Sequence, residues 1–153
     1  MNEYQKMIEK HQKEISEFPL VFGFGNAQID EGMRKLGLDP SEREKVTSYF
    51  GVGDFLRITD VPALEQLLKR QRKEREAAIA ADKTGDGFIY DMLDTELSNH
   101  EYGYTRDLTD TLRAIGMTLE QVNADERFLR ALRKASKEQI AFYEKTQTET
   151  EEK

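Results

Sequence analysis

The sequence predicts a mainly α fold with a small β element (α+β), built as a single compact domain. Three observations lead there. Apolar residues recur at spacings of three and four in most segments between glycine or proline positions. Capping residues stand at the starts of those segments. Only two short runs, near 20–24 and 55–58, have strand character. A chain of 153 residues fits one domain, read here as residues 1–145, with a polar tail over 146–153 that is expected to be disordered.

The elements follow in order. Residues 2–17 carry Tyr4, Met7, His11 and Ile15 on one narrow stripe, which predicts a surface helix. Phe18 to Phe24 is the most apolar run and reads as a buried extended segment. Asn26 is placed to cap a helix over 27–36 that Gly37 stops. Asp39 and Pro40 predict a further helix over 40–49. Gly51 to Asp54 reads as a turn before a strand over 55–58. Thr59 then caps a helix over 60–81, whose apolar face lapses over 69–76 and so leaves its middle exposed to solvent. A loop over 82–87 leads to a helix over 88–102, with Ile89, Met92, Leu93 and Leu97 inward and Gly103 as its end. Thr105 or Asp107 caps a short helix to Ile115, and Thr118 with Gln121 forms a capping box. The last helix is predicted over 124–145, with Phe128, Leu129, Leu132, Ala135, Ile140 and Phe142 as candidates for burial.

Composition narrows the chemistry. The chain has no cysteine, which removes disulfides, iron–sulfur clusters, thiolate zinc sites and cysteine nucleophiles. No apolar run reaches the length of a membrane span, and the charged first residues do not read as a signal peptide. The net charge is -7. Acids concentrate between 82 and 111, where Asp82, Asp86, Asp91, Asp94, Glu96, Glu101, Asp107 and Asp110 face only Lys83 and Arg106. That balance speaks against a nucleic-acid surface and suits a basic protein partner.

Four motifs invite specific chemistry, and each has a plainer reading. Asp82, Thr84, Asp86, Gly87 and Ile89 match a calcium loop of EF-hand type, but Leu93 stands where the bidentate carboxylate belongs. The expected role is a turn that caps the next helix. Glu96 and His100 share a helix face and could bind a ligand or metal or relay a proton. His100 also lies on the stripe of Leu93 and Leu97 in the last helical turn, which favours a structural histidine. The basic run Lys69 to Arg75 reads as a solvated face with glutamates as local partners. Thr111 to Val122 has helix–turn–helix spacing, but Glu120, Asp125 and Glu126 occupy the place of a basic reading helix. The glycine pairs at 23–25 and 51–53 lack the spacing of a phosphate cradle.

Two stretches look familiar together. They are Phe18-Pro19-Leu20-Val21-Phe22-Gly23-Phe24-Gly25-Asn26-Ala27-Gln28, and Gly85-Asp86-Gly87-Phe88-Ile89-Tyr90-Asp91-Met92 through Glu96-Leu97-Ser98-Asn99-His100-Glu101-Tyr102-Gly103-Tyr104-Thr105. The chain resembles, over about residues 18–135, a family of uncharacterised small proteins of bacterial phages and mobile elements. The resemblance implies an accessory protein in the cytoplasm of a bacterial host cell. It supplies no catalytic residues.

The expected function is protein binding, as an inhibitor of a host or defence protein with a basic surface, through Asp91, Asp94, Glu101, Asp107 and Asp110. The alternative is a small enzyme or ligand- or metal-binding protein that uses Glu96, His100 and nearby carboxylates. No cofactor or resident metal, no direct nucleic acid and no membrane are expected.

Overall fold

A computed structural model describes residues 1–152. Helix α1 (Glu3–Glu17) opens the chain. It is followed by β1 (Val21–Phe22), α2 (Asn26–Lys35), β2 (Val46–Thr47), β3 (Asp54–Arg57) and the long helix α3 (Val61–Ala81). Then come α4 (Phe88–Asn99), α5 (Tyr102–Thr105), α6 (Thr109–Ile115), α7 (Leu119–Ala124) and α8 (Glu126–Glu151). The fold is thus mainly helical with one small sheet, as the periodicity predicts. The sequence shows no boundary inside 1–145, and the structure groups the chain into two compact units. One is Glu9–Glu74. The other is Met1–Ile8 with Arg75–Lys153.

Within Glu9–Glu74, β3 is the central strand of a three-stranded antiparallel sheet in the order β1-β3-β2. Val21 pairs with Phe55, and Val46 with Arg57. The third strand is a departure from expectation, because residues 40–49 do not form a helix. Asp39 accepts from the Ser41 amide at 2.9 Å, and Glu42 accepts from the Asp39 amide at 2.9 Å. These two bonds close one turn. A 3₁₀ turn over Arg43–Lys45 then delivers β-branched Val46 and Thr47 into the sheet.

Met33, Leu36 and Phe55 form a core beneath the sheet, joined by Val21, Ile29, Leu38 and Val46. Gly37 ends α2 as expected, with the Gly37 and Leu38 amides returning to the carbonyls of Arg34 and Met33. Asn26 makes no side-chain cap. The Phe18–Phe24 run is not buried throughout. Strand side chains alternate, so Val21 turns inward while Phe22 and Phe24 are exposed.

The β2–β3 connection is organised by one carboxylate. Asp54 is buried and accepts from the amides of Tyr49, Phe50 and Val52 and from the Ser48 hydroxyl, at 2.9 to 3.1 Å. Burial alone would raise its pKa. The converging donors outweigh that and hold it at about 2.

In the other unit, α4 is the centre. It packs against α8, α6 and α5. Ile89, Met92, Leu93 and Leu97 are all buried, each stabilising by roughly 1.5–3 kcal/mol relative to exposure. Tyr4, Ile115, Val122, Phe128, Ala131, Leu132 and Ala135 complete this core. The capping box at α7 forms as predicted: the Gln121 amide donates to Thr118 Oγ1, and the Thr118 amide to Gln121 Oε1. Helix α8 runs on through Glu151, so 146–151, read from composition as a disordered tail, is helical; Lys153 lies outside the described residues. Among the described residues no helix is long and apolar enough to cross a membrane.

Asp54 yields a testable consequence. Its folded-state pKa lies below the ordinary value of 3.8, so its contribution is fully present above pH 3.8 and is lost as pH falls towards 2. The shift corresponds to about 2 kcal/mol. Asp54→Asn turns one acceptor into a donor facing the loop amides and should cost about 1–3 kcal/mol at pH 7 in urea unfolding. The variant should also lose the wild-type decline in stability between pH 4 and 2.

Candidate functional site

The 82–93 segment is organised by its own hydrogen bonds. Asp82 accepts from the amides of Gly85, Gly87 and Ile89 at 2.9 to 3.1 Å. Burial works against the ionised carboxylate, but these amides prevail and lower its pKa. Gly85 has φ 86, and a Cβ there would lie 2.6 Å from the Arg127 carbonyl oxygen, so the turn depends on glycine. Arg127 donates to the carbonyls of Ile79 and Asp82 at 2.8 Å and so pins the end of α3 beside the turn. The loop therefore caps α4, as its plainer reading predicts.

Glu96 and His100 do come together, and a residue the sequence did not pair with them joins. The buried Glu96 carboxylate accepts from the Tyr4 hydroxyl at 2.6 Å. Burial first, then this hydrogen bond and the negative charge of Glu96, push the Tyr4 pKa up. His100 Nδ1 lies 2.8 Å from the Glu96 backbone carbonyl and 3.6 Å from its carboxylate. A carbonyl oxygen only accepts, so Nδ1 carries the hydrogen. Thr111 donates to the same carbonyl. His100 closes the end of α4, in keeping with a structural role. Helix α4 stops there rather than at Gly103.

The turn that follows is strained and well supported. Glu101 and Arg106 bracket α5 with left-handed backbones, φ 54 and 56, which cost non-glycine residues roughly 1 kcal/mol each. Gly103 sits inside α5, where a Cβ would lie 2.7 Å from the Gln139 carbonyl oxygen. This close approach to α8 is why glycine stands there. Tyr104 is thereby held 5.7 Å from Tyr143, ring centre to ring centre. A groove of about 530 Å³ results, lined by Ser98, Glu101, Tyr104, Gln139, Phe142 and Tyr143 among others. Tyr104 is 68% exposed and Phe142 70% exposed. The sequence put Phe142 among the candidates for burial; it faces solvent instead.

The remaining acids expected at a contact surface have local partners. Asp94 accepts from Gln139 at 2.9 Å, and Asp107 accepts from the Thr109 amide and hydroxyl. Asp110 pairs with Arg113 at 3.1 Å. Asp91 is half-buried, and its pKa is raised chiefly by that burial. Glu101 is the one of the five that lines the groove.

The basic run on α3 contributes a cluster that sequence spacing could not show. Arg70 pairs with both Glu14 and Glu74, and Lys10 reaches Glu74 at 3.2 Å. His11 Nε2 donates to Glu74 at 2.7 Å. The His11 hydrogen bond, then those from Arg70 and Lys10, hold the Glu74 pKa at about 2. His11 and Glu14 are three residues apart on α1, a visible signal, but Glu74 lies about sixty residues away and carries no local mark.

Comparison with known proteins places the chain in a family. A model described as "Family of unknown function (DUF7659)" matches residues 3–138, and the chain belongs to that family. No curated protein and no solved structure matches.

The arrangement around Glu96 predicts the effect of removing one hydroxyl. Tyr4→Phe leaves a buried carboxylate without its donor and should destabilise by about 1–3 kcal/mol. His100→Ala should lose a similar amount through the uncapped end of α4. Chemical denaturation at pH 7 measures both. Stability equal to wild type in both variants would free Glu96 and His100 for a functional role.

Proposed function

We propose that this member of a family of unknown function is a protein-binding module whose contact surface is the groove between α5 and α8. The observation that carries this reading is the pairing of two largely exposed aromatic rings, Tyr104 and Phe142, with Glu101 on one groove. Apolar rings at this exposure gain from coverage, and aromatic residues dominate binding energy at interfaces.

The occupant is a polypeptide segment bearing arginine beside an apolar side chain. A guanidinium can stack on Tyr104 or Phe142 and bond to the Glu101 carboxylate. The surrounding charge supports the same sign. The unit that holds the groove has an excess of acids, with the acidic stretch 82–111 inside it. The two strained residues around α5 support a preformed surface, since such strain persists where packing enforces a position. The resemblance to phage and mobile-element proteins would make that partner a host or defence protein, and the acid excess of 82–111 would suit a basic surface on it. The reading of Glu96 and His100 as reactive groups has less support, because both are engaged by Tyr4, Thr111 and the end of α4.

The test is a titration of the isotope-labelled chain followed by nuclear magnetic resonance. The probe is a synthetic peptide of alternating arginine and leucine, with a glutamate–leucine peptide as control. The basic peptide should shift amides of 98–104 and 139–147, and the acidic one should not. Tyr104→Ala and Phe142→Ala should each weaken binding by about tenfold, and added salt should weaken it further. Equal responses to both peptides, or shifts confined to other residues, would remove the groove as the contact surface.

A further inference from the structure

We propose that His11, Glu14 and Glu74 form a site for one divalent transition-metal cation, and that Arg70 holds the charge of that site when no metal is bound. The ligand atoms of the three residues all lie within 4.8 Å of one another. Among the described residues no other group of three histidines or carboxylates does so. One imidazole nitrogen and two carboxylate oxygens are the donor set of a borderline cation such as zinc. Tetrahedral ligands about 2.1 Å from a metal stand about 3.4 Å apart, so the side chains need only a small contraction. His11 and Glu14 come from one face of α1, and Glu74 reaches them from α3.

Gln71 donates to the His11 carbonyl at 3.1 Å and to Glu14 at 3.4 Å, which fixes two of the ligands from α3. His11 is nearly enclosed but also lines a surface cavity of about 480 Å³ with Gln12, Ile15, Ser16, Leu20 and Phe22. Glu14 and Glu74 are themselves partly exposed, at 25% and 30%, so a cation can reach the carboxylates from solvent. Against the idea stand Arg70 and Lys10, whose charges already neutralise the carboxylates. Both side chains are about half exposed, at 44% and 58%, so each can swing into water when a dication replaces it. Arg70 bridges Glu14 and Glu74, the same two groups the metal would bridge. His11 would coordinate through Nε2 as the neutral ring, with its one hydrogen on Nδ1.

The role of Arg70 separates this site from an ordinary ion-pair cluster. Zinc is titrated calorimetrically into the full chain after chelator treatment, with magnesium as a hard-cation control. Wild type should bind one zinc and no magnesium. His11→Ala and Glu14→Gln, checked for folding by circular dichroism, should weaken zinc by at least about tenfold. Arg70→Gln should bind zinc more tightly than wild type although it loses ion pairs, and His100→Ala should bind as wild type does. The proposal fails if wild type does not bind zinc saturably. It also fails if binding survives His11→Ala, or if Arg70→Gln weakens it.

Discussion

A helix packed on several sides cannot carry an unpaired carboxylate, and α4 carries the buried Glu96 in its last turn. The unit around α4 is arranged to meet that constraint. The Tyr4 hydroxyl answers the carboxylate from α1, and the Glu96 backbone carbonyl is shared by His100 and Thr111. Tyr4 therefore does two things, filling the core with its ring and satisfying a charge with its oxygen. Its edge-on contact with Phe88 fixes the ring 5.8 Å from the start of the same helix. A buried polar group of this kind stabilises little by itself but penalises every arrangement in which it is unmet. That penalty ties the first turn of α1, which carries Tyr4, to one position on α4.

The same economy appears at the turns. Asp54 gathers three amides and a hydroxyl, Asp82 gathers three amides, and Asp125 caps α8 at the Arg127 amide while pairing with its guanidinium. In each case one carboxylate takes the place of several backbone partners that an irregular segment cannot supply. A good part of the acid excess is therefore architectural. It gives the chain a negative sign without making every acid available to a partner.

Much of this was legible in the sequence. The inward stripe of α4, the capping box at Thr118 and Gln121, the stop at Gly37 and the capping role of the 82–87 loop all rest on local spacing, and local spacing is what a sequence displays. The failures have one physical root. Residues 40–49 show helix-start chemistry at Asp39 and Pro40, but Val46 and Thr47 gain more by pairing with β3 than by extending a turn. Phe22, Phe24 and Phe142 are as apolar as their buried neighbours, and only strand alternation or helix packing decides which way they face. Gly103 reads as a helix stop until α8 is beside it. The pairing of Glu74 with His11 and Glu14 depends on two helices meeting, which no window of sequence contains.

These facts rank the surfaces by what the fold leaves unused. The Glu96 group and the turn carboxylates have internal partners, so the fold accounts for them without a ligand. The His11 group is also paired, but its cationic partners Arg70 and Lys10 are half-exposed, which is what the proposed metal site relies on. The rings of Tyr104 and Phe142 differ from both. Covering them would release water at no cost to an internal bond, and the strained turn at Glu101 and Arg106 keeps one of them in place. Where a fold holds an exposed ring in place with backbone strain, the proposed recognition role has a physical basis, and in that proposal the charge of the groove favours a basic partner.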